Sequence, residues 1–189
     1  MTKLDIHVPH ASTAIPEDVR AEFIVSRQDV EAEAVASADL YTGEMARQAW
    51  QHADIIEAEV SRIVVDVERY DDDSSEEMAE VGRGVFYTCD HLMRPIRKTL
   101  SGPRREELLA RYYRPHWKRL RAQAANAILV DLHTYPAEPM TSAPKSARLF
   151  QIIPRRPLWL RRARWSAAGS RAASRPAWCQ EPCHGTRNR

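Results

Sequence analysis

The chain alternates between short runs of β-branched residues and longer stretches in which apolar positions recur every three to four residues. Residues 4–8, Leu-Asp-Ile-His-Val, read as a strand that stops at Pro9, because proline has no N–H to give to a sheet ladder. Between residues 29 and 52, Val30, Ala34, Val35, Ala38, Tyr41, Met45 and Ala49 fall at helical spacing and predict one helix. Residues 55–60 and 63–67 are β-branched, and Ile-Val-Val-Asp-Val at 63–67 predicts a strand buried on both faces. The acidic run Asp-Asp-Asp-Ser-Ser-Glu-Glu at 71–77 has nothing to bury and predicts a surface loop. Gly82 and Gly84 then bracket Arg83, where glycine permits backbone angles closed to other residues. Past Pro103, a helix over residues 104–125 gathers Leu108, Leu109, Tyr112, Trp117, Leu120 and Ala124 near one face, with Tyr112, Tyr113 and Trp117 read as packing. Residues 127–132 form another buried-type strand, which ends at His133. Strands alternating with helices in this way predict an α/β fold with a mostly parallel central sheet flanked by helices.

At 189 residues the chain is long enough for one domain with a real core. No apolar run approaches the roughly 20 residues that cross a bilayer, and the first residues lack a basic region followed by an apolar stretch. These features predict a cytoplasmic protein that is not embedded in a membrane. Three cysteines, Cys89, Cys179 and Cys183, are too few and too odd in number for a disulfide framework. The net charge of +2 conceals an asymmetry: residues 1–150 hold nineteen basic and twenty-five acidic residues, whereas residues 151–189 hold nine arginines and only Glu181 as an acid. The picture that follows is an acidic body over residues 1–145 and a basic tail, rich in Arg, Pro and Trp, over residues 146–189. Clustered arginines attract phosphates, so the tail is either a phosphate-binding arm or a non-native segment.

Ligands of open α/β sheets bind beyond the carboxyl ends of the strands. Three predicted strand ends carry polar groups: His7 and His10 at the first, Asp66, Glu68 and Arg69 at the second, Asp131 and His133 at the third. Two histidines from different strands with a carboxylate suit zinc, although His-x-x-His in a short loop is also met as hydrogen-bonded structural histidines. Arg62 and Arg69 either pair with Asp66 and the acidic loop or grip a substrate carboxylate. Asp131 either orients His133 or is a satisfied core carboxylate, and His116 reads as a surface residue.

Four segments in order then resemble one family: Val8-Pro-His10-Ala-Ser with Ile15-Pro16, Ser61-Arg-Ile-Val-Val-Asp-Val-Glu-Arg69, Tyr112-Tyr-Arg-Pro-His-Trp117 with Leu120, and Ile128-Leu-Val-Asp-Leu-His-Thr-Tyr-Pro136. Together they resemble the N-formylglutamate amidohydrolases, whose fold is like that of the zinc carboxypeptidases and the aspartoacylase group. The resemblance covers roughly residues 4–140 and implies a zinc-dependent amidohydrolase, incomplete at its C-terminus. Its substrate would be a small acidic N-acyl amino acid, with N-formyl-L-glutamate giving formate and glutamate. It makes His10 and His133 zinc ligands and Asp39 the third, with Glu44 and Asp66 as rivals for that place. Arg69, helped by Arg62, would hold the substrate carboxylate, while Asp131, Asp66 and His7 would stand behind the ligands. Glu68 departs from the asparagine of the wider superfamily and leaves the substrate less defined.

The same resemblance calls for a general base, a glutamate beyond the second zinc histidine, and residues after 140 offer no candidate. The tail carries three of the five tryptophans, almost no acids and no periodicity, which is what a GC-rich gene yields when translated out of frame. A frame shift near residues 140–155 is therefore expected, and nucleic acid is not expected as a partner. An inactive truncated product and a non-enzymatic binding protein with a basic arm are the alternatives to an active hydrolase.

Overall fold

The first predicted strand runs as β1, Lys3–Val8, and takes the centre of a three-stranded parallel sheet in the computed structural model, which describes residues 3–125 and 127–135. Its neighbours are β2, Asp54–Glu57, and β3, Ala127–Asp131, giving the order β2-β1-β3. The register sets His7 of β1 beside Ile56 on one side and Asp131 on the other. Period-two alternation sends Ile6 and Val8 to one face, where they pack with Ala46, and Asp5 and His7 to the other. All four are buried, so β1 carries helices on both faces, as parallel strands do. The expected mostly parallel sheet flanked by helices is the fold observed. Among the described residues no helix is long and apolar enough to cross a membrane.

The helix expected over residues 29–52 is two helices, α2 (Arg27–Ala36) and α3 (Thr42–Ala49), preceded by a single turn, α1 (Glu17–Arg20). Ser26 starts α2 by accepting from the Asp29 N–H. The break has a local cause. Asp39 N–H donates to the His10 carbonyl at 2.9 Å, outside the helix, and Tyr41 takes a left-handed conformation at φ 67°. The predicted apolar stripe holds for Val30 and Ala34 of α2 but not beyond the break: Tyr41, Met45 and Ala49 are exposed, and α3 buries Thr42, Gly43 and Ala46 instead.

Residues 63–67 are buried as expected but do not form a strand. Val64 and Val65 donate to the Ser61 carbonyl at 2.9 and 3.3 Å, and Arg69 to that of Asp66 at 3.2 Å, so the segment is a succession of tight turns. Ile63, Val64 and Val65 fill the core with Val19, Val30, Val85 and Leu108. A short β-branched run reports burial, and here burial is met without a sheet ladder. The acidic stretch forms two short 3₁₀ turns, Asp73–Ser75 and Glu77–Val81, the second ended by Gly82 at φ 72°.

The long helix begins at α4, Gly102–Leu108, with the Ser101 side chain accepting from the Arg104 N–H. It passes through a π-helical turn, Leu109–Tyr113, into α5, Arg114–Ala124. Pro115 lies in the first turn of α5, has no N–H to donate and crowds the preceding turn. The wider π turn accommodates it and resets which residues face the sheet.

Candidate metal centre

His10 follows β1 by two residues, and His133 follows β3 by two. Because the strands are parallel and paired in register, both histidines emerge at the same end of the sheet, with ring centroids 5.2 Å apart. Asp39 arrives from the break between α2 and α3, tied by its own N–H to the His10 carbonyl. Its Oδ2 accepts from His133 Nδ1 at 2.8 Å and lies 3.6 Å from His10 Nδ1. His10 is 2% exposed, and its Nδ1 is buried without a hydrogen-bond partner. One ligand atom from each of His10, Asp39 and His133 falls within 4.8 Å of the others. An orphaned buried imidazole nitrogen beside a carboxylate and a second imidazole is a donor set that fits zinc.

The opposite edge of His10 is fixed differently. Its Nε2 donates to Asp66 Oδ1 at 3.0 Å, the same oxygen that accepts the Glu68 N–H at 3.0 Å. Asp66 Oδ2 accepts from Arg62 Nε and Nη2 at 3.0 and 2.8 Å and from the Tyr87 hydroxyl at 3.0 Å. Asp66 is fully buried, and these donors hold it ionised despite the burial that opposes charge: its carboxyl lies well below the ordinary carboxylate range, Arg62 and His10 being the main attractions. Asp66 therefore stands behind His10, and Arg62 spends its donors on Asp66. Glu44, the other candidate for the third ligand, is exposed on α3.

A model of the N-formylglutamate amidohydrolase family matches residues 3–179. The chain belongs to that family. No curated protein matches it. Its fold is similar to a solved structure of N-formylglutamate amidohydrolase from Ralstonia eutropha JMP134, with a TM-score of 0.59 at 18% identity, over 71% of this chain and 54% of that one. The chain thus spans about half the length of this amidohydrolase relative. The family match includes most of the 146–189 segment expected to be non-native, and that segment, with the expected frame shift and any general base in it, lies outside the described residues.

The charge balance of this family member's cluster is acidic around its two histidines. Burial pushes the Asp39 carboxyl up, but the His10 ring beside it and the hydrogen bond from His133 outweigh it and bring it down to about 2. Burial opposes charge on His133, and Asp39 and Glu68 overcome it, raising the imidazole to about 10. Burial likewise opposes charge on His10, yet Asp66 and Asp39 raise it. Four carboxylates, those of Asp39, Asp66, Glu68 and Asp131, surround the two rings, with Arg62 and Arg69 as the nearby permanent cations.

Arg69 keeps a buried Nε that makes no hydrogen bond, with Asp66 Oδ2 3.7 Å away and Glu76 Oε1 3.5 Å from its Nη1. Its backbone is held by the Tyr113 hydroxyl, which donates to the Arg69 carbonyl at 2.8 Å, while Trp117 Nε1 donates to that of Val67 at 2.9 Å. His7 Nδ1 hydrogen-bonds Asp131 Oδ1 at 2.6 Å, so Asp131 orients His7 rather than His133. His7, Glu68 and Asp131 form a second group of three donors within 4.8 Å. His116, read from sequence as a surface residue, is buried and lies 2.8 Å from His7, Nε2 to Nε2. The signal was available: Tyr112, His116 and Leu120 fall four residues apart on the buried face of the long helix.

Proposed function

We propose that the chain is a zinc-dependent amidohydrolase that cleaves N-formyl-L-glutamate, or a related N-acyl amino acid, to formate and the free amino acid. Membership of the N-formylglutamate amidohydrolase family supports the reaction class. The single observation that carries the metal is the convergence of His10, Asp39 and His133 around an imidazole nitrogen that is buried and unpartnered. Zinc in such a site supplies Lewis acidity, which lowers the pKa of water and stabilises negative charge on a carbonyl oxygen.

The remaining work falls to this chain's own side chains. Asp66 fixes the His10 ring through Nε2, which leaves Nδ1 for the ion. Arg62 neutralises Asp66 and keeps it from competing for that ion. Arg69 is the group with donors to spare for a substrate carboxylate, and a planar guanidinium matches a carboxylate in a two-pronged grip. With the carboxylate anchored, the formyl amide is carried toward the histidines, where water cleaves the bond between the formyl carbon and nitrogen.

Formate release from N-formyl-L-glutamate by the full-length chain tests this reading. Activity should require zinc, disappear on chelation and return when zinc is restored. Zinc-loaded protein that releases no formate from this substrate or from other N-acyl amino acids would defeat it.

A further inference from the structure

Two carboxylates, not one, bridge the histidine pair. Asp39 faces the Nδ1 atoms of both rings, at 3.6 Å from His10 and 2.8 Å from His133. Glu68 faces the Nε2 atoms, with Oε2 3.5 Å from His10 and Oε1 3.3 Å from His133. The rings are thus held between two acids, and either side could in principle present three donors to an ion. The hydrogen bonds decide between them. His10 Nε2 is already committed to Asp66 at 3.0 Å, whereas His10 Nδ1 is buried and bonded to nothing. For His10 the Asp39 side is therefore the open one.

We infer that Glu68 is a positioning residue for the metal centre: it clamps both histidine rings from behind, one oxygen on each, so that their Nδ1 atoms converge on Asp39. This rests on the zinc reading above. Metal-binding histidines commonly donate their second ring N–H to a carboxylate, which fixes the tautomer and ring orientation and raises the ligand's basicity. Here Asp66 takes the second nitrogen of His10, and Glu68 lies against the second nitrogen of both rings, 3.5 Å from His10 and 3.3 Å from His133, so it also sets their spacing.

The backbone around Glu68 is built for that duty. Its own N–H is tied to Asp66 Oδ1 at 3.0 Å. The carbonyl before it, of Val67, accepts from Trp117 Nε1, and the carbonyl after it, of Arg69, accepts from the Tyr113 hydroxyl, at 2.9 and 2.8 Å. The peptide groups on either side of Glu68 are therefore pinned to the core and to the long helix. A surface glutamate has no need of such anchoring, and the Glu68 side chain is only 27% exposed.

The test is a zinc titration of the full-length chain against a competing chelator, on the unaltered protein and on Glu68→Ala, Glu68→Gln and Asp39→Ala. Glu68→Ala should still take one zinc but bind it about 10- to 100-fold more weakly. Glu68→Gln should recover part of the loss, because an amide oxygen still accepts from one ring, and this also guards against a fold defect in the alanine variant. Asp39→Ala should lose zinc altogether. Cobalt substitution adds a spectroscopic reading: Glu68→Ala should shift the visible bands without abolishing them. Unchanged affinity and an unchanged cobalt spectrum in both Glu68 variants would overturn the inference while leaving the zinc reading intact. Loss of zinc from Glu68→Ala with retention in Asp39→Ala would overturn it by making Glu68 the ligand. An unaltered chain that binds no zinc overturns the zinc reading itself.

Discussion

Asp66 is the residue on which the site's other side chains depend. Fully buried, it accepts from His10, from the Glu68 main chain, from two nitrogens of Arg62 and from Tyr87, so every oxygen lone pair has a donor to meet. A buried ion pair adds little net stability when complete, but removing one partner leaves the other charged and unpaired. Asp66→Ala should therefore cost about 3–5 kcal/mol, read as the shift in the urea midpoint at constant slope. A loss below about 0.5 kcal/mol, the range of ordinary surface substitutions, would show that water or another acid can replace it. The sequence made His10 and His133 visible because motif and strand-end position coincide there, while Asp66 stood out by its motif and Asp39 only through the family resemblance. It left the division of labour open, since the spacing of Arg62 and Asp66 allows either the closed ion pair that forms or a guanidinium free for a substrate.

At the scale of elements, what was legible followed burial and what was missed followed backbone hydrogen bonding. The strand at β1 was readable because burial and extended geometry coincide there, whereas β3 is extended as expected but not the buried strand its apolar run predicted, with Ile128 exposed. Residues 63–67 present the same apolar face to the sequence, but Val64 and Val65 donate to Ser61 and Asp66 to Val85 without a strand ladder, so pattern alone cannot separate them from a strand. The split between α2 and α3 was hidden for a related reason, and it matters more. Had one helix continued through residues 37–41, Asp39 would keep its N–H within the helix and could not tether to the His10 carbonyl. The candidate third ligand depends on a local break that periodicity smooths over. The π turn before α5 plays a similar part, because it sets the face from which Tyr113 and Trp117 reach the carbonyls on either side of Glu68.

Across the whole molecule, stability and site chemistry share the polar interior around β1. His116 of α5 is buried against His7 of β1, whose other nitrogen meets Asp131 of β3, with Arg119 of α5 and the main chain of Glu57 of β2 also nearby. Burial, then the neighbouring His7 and Arg119, bring the His116 imidazole from 6.5 down to about 3. Above pH 6.5 it is neutral both folded and unfolded and contributes nothing to the pH dependence. As pH falls from 6.5 toward 3 the unfolded chain takes up a proton that the folded chain refuses, so stability drops. The loss attributable to His116 is about 2 kcal/mol between pH 6.5 and roughly pH 5, a window above the carboxylate titrations. Unfolding midpoints measured across that window should fall in the unaltered chain and flatten in His116→Gln; equal slopes in the two would refute the assignment.

If β1, β3 and the α2–α3 break converge to hold one zinc ion, as proposed, metal content measures it directly. Elemental analysis of the purified full-length chain, after equilibration with zinc and removal of the excess, should find one zinc per chain in the unaltered protein. Single His10→Ala, Asp39→Ala and His133→Ala variants that remain folded should hold almost none. A folded chain that carries no zinc, or one that keeps its zinc when His10 and His133 are both replaced, would contradict the account.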